Sequence, residues 1–282
     1  MPEADGAGVT VAERATARTG ALHVDVAGVG PPLLLLHGFA MHGGLFAPLA
    51  DALAMHRRVL VADLPGHGRS PPAPAFTLEM LVEAVDAAIA TEAPLDVVGW
   101  SLGGQVALEW ARVRPSRIRK LVLVATTPSF IARAGWPHAM NVLTLARFGD
   151  ELRADYRQTL ARFLALQVHG SDAGRATLAK LRTRLFDRGE PAPGALAEAL
   201  GLLRETDLRE RLASIATPAL VVGGERDAIV PIEATRRLAA ALPNARHATI
   251  AGAAHAPFLS HTGAFVDVVR PYLDDRATLS CP

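Results

Sequence analysis

Ser101 sits in the stretch VVGWSLGGQVALEW, with a β-type apolar run before it and helix-type spacing after it. Gly99, Ser101 and Gly103 spell G-x-S-x-G at that junction, the pattern of a nucleophile elbow. A strand turning sharply into a helix forces the serine into strained backbone geometry, where bulky residues two positions away would clash and glycines do not. The hydroxyl is lifted above the strand ends and placed at a helix N-terminus, whose dipoles favour a developing negative charge. A serine hydroxyl becomes a useful nucleophile only when a base takes its proton and an acid orients that base. Asp227, closing the run ALVVGGERD, and His255, closing ARHATIAGAAH, supply both in the chain order Ser, Asp, His. Glu225 is the rival acid, in a turn that favours solvation, and His247 and His261 are weaker bases. The tetrahedral intermediate of such acyl transfer needs two donors. The backbone N–H of Leu102, just after the serine, and that of Phe39, after the run ending LLLLHGF, are the candidates. His37 beside Phe39 reads as a loop brace, and DLPGHGRS (63–70) as a structural turn without chemistry of its own.

These residues need a scaffold that brings strand ends together. Short apolar runs at 32–38, 58–66, 95–100, 119–127, 218–227 and 245–255 alternate with helical patterns at 78–90, 104–113, 232–242 and 263–273. Runs apolar on both faces suit a parallel sheet between helix layers, so the spacing predicts an α/β, doubly wound fold. Residues 129–211 break the alternation with helix-like segments and no strand, which predicts a helical lid inserted into a core of 21–128 and 212–282. Residues 1–20 read as a poorly ordered start.

With 29 basic and 28 acidic residues among 282, nothing global points to nucleic acid or a membrane surface. A single cysteine, Cys281, gives neither a disulfide framework nor a metal-type spacing, and no run reaches membrane-span length. The expectation is a cytoplasmic monomer that needs no metal and no organic cofactor. Charge is local instead: 153–188 holds eight basic residues against three acidic ones, an excess of +5 within the predicted lid.

On HGF, DLPGHGRS, GWSLGG, GERDAIVP and AAHAPF, the chain resembles the α/β-hydrolase superfamily over nearly its whole length. On GWSLGGQVA, PSFIARAGWP, RFLALQVHG, LRETDLRERL and AAHAPFLSH, it resembles the BioH-like pimeloyl-[acyl-carrier protein] methyl ester esterases within it. The resemblance implies an α/β-hydrolase fold and hydrolysis, in biotin synthesis, of a methyl ester at the far end of a carrier-linked pimeloyl chain. It implies substrate contacts from Phe39, Ser101, Leu102, His255 and the lid stretch Phe163, Leu164, Ala165, Leu166 and Gln167. It further implies that lid cations, here Arg157, Arg162, Arg175 and Lys180, attract the acidic acyl carrier protein. The chain departs from the pattern in carrying Phe39 where such proteins can carry Trp, and in a longer N-terminal stretch. Residues alone leave open a generic short-chain carboxylesterase, a lactonase, a C–C bond hydrolase or a noncatalytic binding module on the same fold. Serine at 101 disfavours dehalogenases and epoxide hydrolases, which place Asp there.

Overall fold

The computed structural model describes residues 15–19, 22–73, 75–89 and 94–275. Its centre is a sheet of eight strands: β1 (Ala15–Thr19), β2 (Leu22–Ala27), β3 (Pro32–Leu36), β4 (Arg58–Ala62), β5 (Leu95–Trp100), β6 (Ile118–Val124), β7 (Ala219–Gly224) and β8 (Ala245–Ile250). The spatial order is β1-β2-β4-β3-β5-β6-β7-β8. β2 runs antiparallel to β1 and β4, and every pairing from β4 to β8 is parallel. β5 and β7 are buried along their whole length, as a parallel sheet covered on both faces requires.

Six apolar runs correspond to six strands; β5 fills its run, the other five end before theirs do, and the surplus residues form the loops that hold the site. β1 and β2 escaped the reading because a two-strand antiparallel edge needs no long apolar run: only Leu22 and Val24 of β2 are core residues. The expected poorly ordered start is corrected for Ala15–Thr19, whose backbone pairs with Leu22–Val26, while residues 1–14 and Cys281 lie outside the described residues.

Helices α1 (Ala47–Ala54), α2 (Leu78–Ala88), α3 (Leu102–Val113), α8 (Ile232–Ala241), α9 (Pro257–Ser260) and α10 (Thr262–Asp274) flank the sheet. Between β6 and β7 come α4 (Val142–Ala154), α5 (Tyr156–Gln167), α6 (Gly174–Arg184) and α7 (Pro193–Glu205). Short polar residues start the first two of these: Asn141 accepts from Leu143 N–H at 2.8 Å and Asp155 from Gln158 N–H at 3.0 Å. The insertion leaves and rejoins the core through a neck, where Leu208 N–H donates to Pro128 O at 3.0 Å. Among the described residues, no helix is long and apolar enough to cross a membrane.

Candidate active site

Ser101 follows the carboxyl end of β5, between β3 and β6, and begins α3 in a strained conformation with φ 56° and ψ −117°. Few non-glycine residues hold such a backbone unless their surroundings over-determine it. Here they do: Ser101 N–H donates to Val124 O at 2.9 Å, and Thr126 Oγ1 donates to Ser101 O at 2.7 Å. The flanking glycines are compulsory, since a Cβ at Gly99 would meet Gly103 O at 2.5 Å and one at Gly103 would meet Leu36 O at 2.4 Å. Leu102 is the first residue of α3, so its N–H has no acceptor within the helix and stays available beside the serine.

Asp227 and His255 follow β7 and β8, and the fold brings them together: Asp227 Oδ2 lies 2.7 Å from His255 Nδ1. The other carboxylate oxygen accepts from Ile229 N–H at 2.8 Å and Val230 N–H at 2.9 Å, which fixes the acid's orientation. A carboxylate only accepts, so Nδ1 carries the imidazole proton and Nε2 is the basic nitrogen. His255 is 1 % exposed and its main chain is held at both ends: its N–H donates to Gln167 O at 3.0 Å, and its carbonyl accepts from Trp100 Nε1 at 2.8 Å. Among the described residues, no hydrogen bond joins Ser101 Oγ to the imidazole; such bonds often tighten only when substrate is bound. The rivals have other partners. Glu225 accepts from Gly252 N–H at 2.8 Å, His247 bonds Thr235 at 2.9 Å, and His261 bonds Ser260 at 2.9 Å.

The loop carrying Phe39 rests on the serine, for a Cβ at Gly38 would sit 3.1 Å from Ser101 Cβ. His37 braces it: Leu64 N–H donates to His37 Nε2 at 2.9 Å, and Nδ1 bonds Gly38 O at 2.8 Å. Full burial, aided by His67, pushes the His37 pKa down to about 3, so it stays neutral and hydrogen-bonded. DLPGHGRS supplies the next brace. Buried Asp63 accepts from Gly43 N–H at 2.7 Å and Arg69 N–H at 3.0 Å, and lies 3.2 Å from Arg188 of the lid, which also pairs with Asp25. Burial alone would raise the Asp63 pKa; Arg188 and these N–H donors hold it below the usual carboxylate range.

A cavity of about 90 Å³ opens on Ser101 and is lined by Phe39, Phe130, Met140, Thr144, Leu145, Phe148, Phe163, Leu166, Leu200, Leu203 and Ile229. Ser101 and Thr144 are the polar side chains in that lining. The rings of Phe39, Phe148 and Phe163 pack mutually, with centroids 5.5–6.1 Å apart. The five-residue stretch expected to line this space is split by the helix. Phe163 and Leu166, three apart and on one face of α5, reach the cavity. Leu164 and Gln167 are buried away from the lining and Ala165 is exposed, so for these three side chains the expectation is corrected. Gln167 serves through its backbone carbonyl instead, as the acceptor for His255 N–H. The α4 residues Thr144, Leu145 and Phe148 went unnoticed, although their spacing is that of one helical face.

The lid's positive excess is also redistributed. Arg153, Arg162 and Arg157 pair with Asp150, Glu151 and Glu190, acids just outside the stretch 153–188, and Arg188 is consumed by Asp25 and Asp63. On α6, Arg175, Lys180 and Arg182 are exposed and, among the described residues, have no ion-pair partner.

A sheet of this order with serine, acid and histidine after the carboxyl ends of β5, β7 and β8 is the arrangement of a hydrolase class, and the comparisons agree. The chain belongs to the alpha/beta hydrolase fold family, whose model matches residues 31–262. It is 46 % identical over 253 residues to the pimeloyl-[acyl-carrier protein] methyl ester esterase of Xanthomonas campestris pv. campestris (strain B100), covering 89 % of this chain and 98 % of that protein. A protein of the same name from Chromobacterium violaceum is 43 % identical over 256 residues, covering 91 % of this chain and 99 % of the relative. Among solved structures, a bromoperoxidase from Bacillus anthracis superposes with TM-score 0.85 at 22 % identity, over 93 % of this chain and 100 % of that one, a likeness of fold alone.

Proposed function

We propose that the chain is a serine carboxylesterase that hydrolyses the methyl ester of pimeloyl-[acyl-carrier protein], releasing methanol, as a step of biotin synthesis. One observation carries the reading: an apolar cavity ends at Ser101, and the same edge of the sheet carries a histidine already bonded to its acid. The relatives' shared name supplies the substrate. His255 Nε2 takes the Ser101 proton as Oγ attacks the ester carbonyl, and the N–H groups of Leu102 and Phe39 receive the oxyanion. His255 then protonates the departing methoxide. Water, deprotonated by the same imidazole, frees the carboxylate from the acyl-enzyme.

The cavity's polarity suits a neutral ester on a methylene chain, which loses little hydration on entering. The charged carrier and its phosphopantetheine arm stay outside, where the unpaired cations of α6 offer an electrostatic landing face. Arg175 and Lys180 keep that role, whereas Arg157 and Arg162 must first give up glutamate partners. The test is methanol release from the carrier-linked pimeloyl methyl ester by the pure protein, with rescue of a biotin-requiring strain that lacks its own esterase of this type. Turnover of p-nitrophenyl butyrate with neither of these results would leave a generic esterase, and no turnover of either substrate would leave a binding module.

A further inference from the structure

We propose that Trp100 is a positioning residue for the base: its indole N–H holds the His255 carbonyl while the lid carbonyl of Gln167 holds the His255 N–H, so that the main chain is clamped on both sides of the Cα that carries the imidazole. The inference rests on the reading of His255 as general base. Trp100 precedes the nucleophile in β5 and is 1 % exposed, so one strand sets both groups. Its Nε1–H donates to His255 O at 2.8 Å, across 155 residues of sequence. The preceding peptide, on the other side of the His255 Cα, is held by the bond from His255 N–H to Gln167 O at 3.0 Å.

The indole is itself immobilised. Its centroid lies 5.0 Å from the Phe258 ring, 6.4 Å from Phe46 and 5.8 Å from the His255 imidazole. A Cβ at Gly38 would come 3.4 Å from its Cε3, so the loop of Phe39 sits on the same ring. One side chain thus touches the loops that carry the oxyanion donor and the base while being covalently next to the nucleophile. Packing alone asks only for a large apolar ring at this site. The aimed N–H is what a positioning role adds, because the Asp227 bond fixes the imidazole's direction and leaves the height of its backbone to be set.

The test removes the N–H and keeps the ring. Trp100→Phe, and protein carrying 3-benzothienylalanine at position 100, which preserves the bicyclic shape without a donor, are assayed on p-nitrophenyl butyrate. A base displaced by a fraction of an ångström should cost about 10- to 100-fold in kcat, with KM within about twofold. The low-field proton resonance of the His255 Nδ1–H should broaden or shift in both variants. An unchanged kcat and an unchanged low-field resonance in the benzothienylalanine protein, even with a lowered melting temperature, would overturn the clamp. His255→Ala run alongside separates the two readings. Activity in that variant overturns the base assignment on which the clamp rests, whereas full rate in the Trp100 variants beside an inactive His255→Ala overturns the clamp alone.

Discussion

The two ends of the lid are fastened by different physics. From the tip of α6 to the start of α7, the chain is sewn into the core by buried polar contacts: Arg188 to Asp63 and Asp25, His42 Nε2 to Arg184 O at 2.7 Å, and Ala192 N–H to Gly66 O at 3.1 Å. α4 packs against α5 and α7, and is joined to α5 by exposed pairs such as Arg162 with Glu151 at 2.9 Å. Exposed pairs contribute little, and a buried charge without its partner is costly. The half that roofs the cavity with Thr144, Leu145 and Phe148 is therefore the half free to adjust, while the half that bears the unpaired cations is fixed.

Beneath both halves lie Ser101, Asp227 and His255, and their loss gives the largest effect. Ser101→Ala should lower turnover by about 10⁶-fold with the melting temperature unchanged, His255→Ala should do nearly as much and Asp227→Asn less. A greater loss from Glu225→Gln than from Asp227→Asn would reassign the orienting acid. At the fixed end, Arg188→Met leaves Asp63 and Asp25 without their shared guanidinium and should cost about 3–5 kcal/mol in urea unfolding. At the free end, Arg162→Met should cost no more than about 1 kcal/mol, and equal costs would erase the distinction between the two ends.

Reversing Arg175, Lys180 and Arg182 to Glu should slow carrier-linked turnover by about 10- to 100-fold at low salt, with the deficit shrinking as salt rises. Hydrolysis of p-nitrophenyl butyrate should survive; parallel loss of both activities would mean that α6 had unseated. A smaller effect belongs to the buried brace. His37 is neutral in the fold down to about pH 3 but takes a proton near 6.5 when unfolded. Its contribution is therefore complete above pH 6.5 and is lost as pH falls from there toward 3, at up to about 1.4 kcal/mol per unit. His37→Gln should flatten the pH dependence of the urea midpoint between pH 6.5 and 5, and an unaltered slope would deny His37 that role.

The Asp227–His255 pair, the strained turn of Ser101 and most of the sheet were legible because local pattern and chemistry coincide there: a strand that must be apolar on both faces, then a residue whose type serves at a strand end. The edge hairpin of β1 and β2 lacked that coincidence. In the lid, the motif FLALQ was legible as a contact region but not as a set of contacts, because only a helix axis tells Phe163 and Leu166 apart from Leu164. Charge counting failed similarly: Glu151 and Glu190 neutralise arginines from positions fixed by helix packing and turn geometry. The roles of Trp100 and Arg188 lie in long-range bonds, which no window along the chain contains.

The neck at Pro128 and Leu208 bears on how such a molecule can change over generations. Because the insertion's two ends meet there, the sheet sees it as a closed detour, and the entropy of closing a detour grows only logarithmically with its length. Doubling the detour costs about 0.6 kcal/mol. Lineages can therefore lengthen or shorten the stretches between the bonds of Gln167 and Arg188 to the core at little entropic cost to the strands that carry serine, acid and histidine, so that appetite for new substrates drifts quickly around a few fixed points.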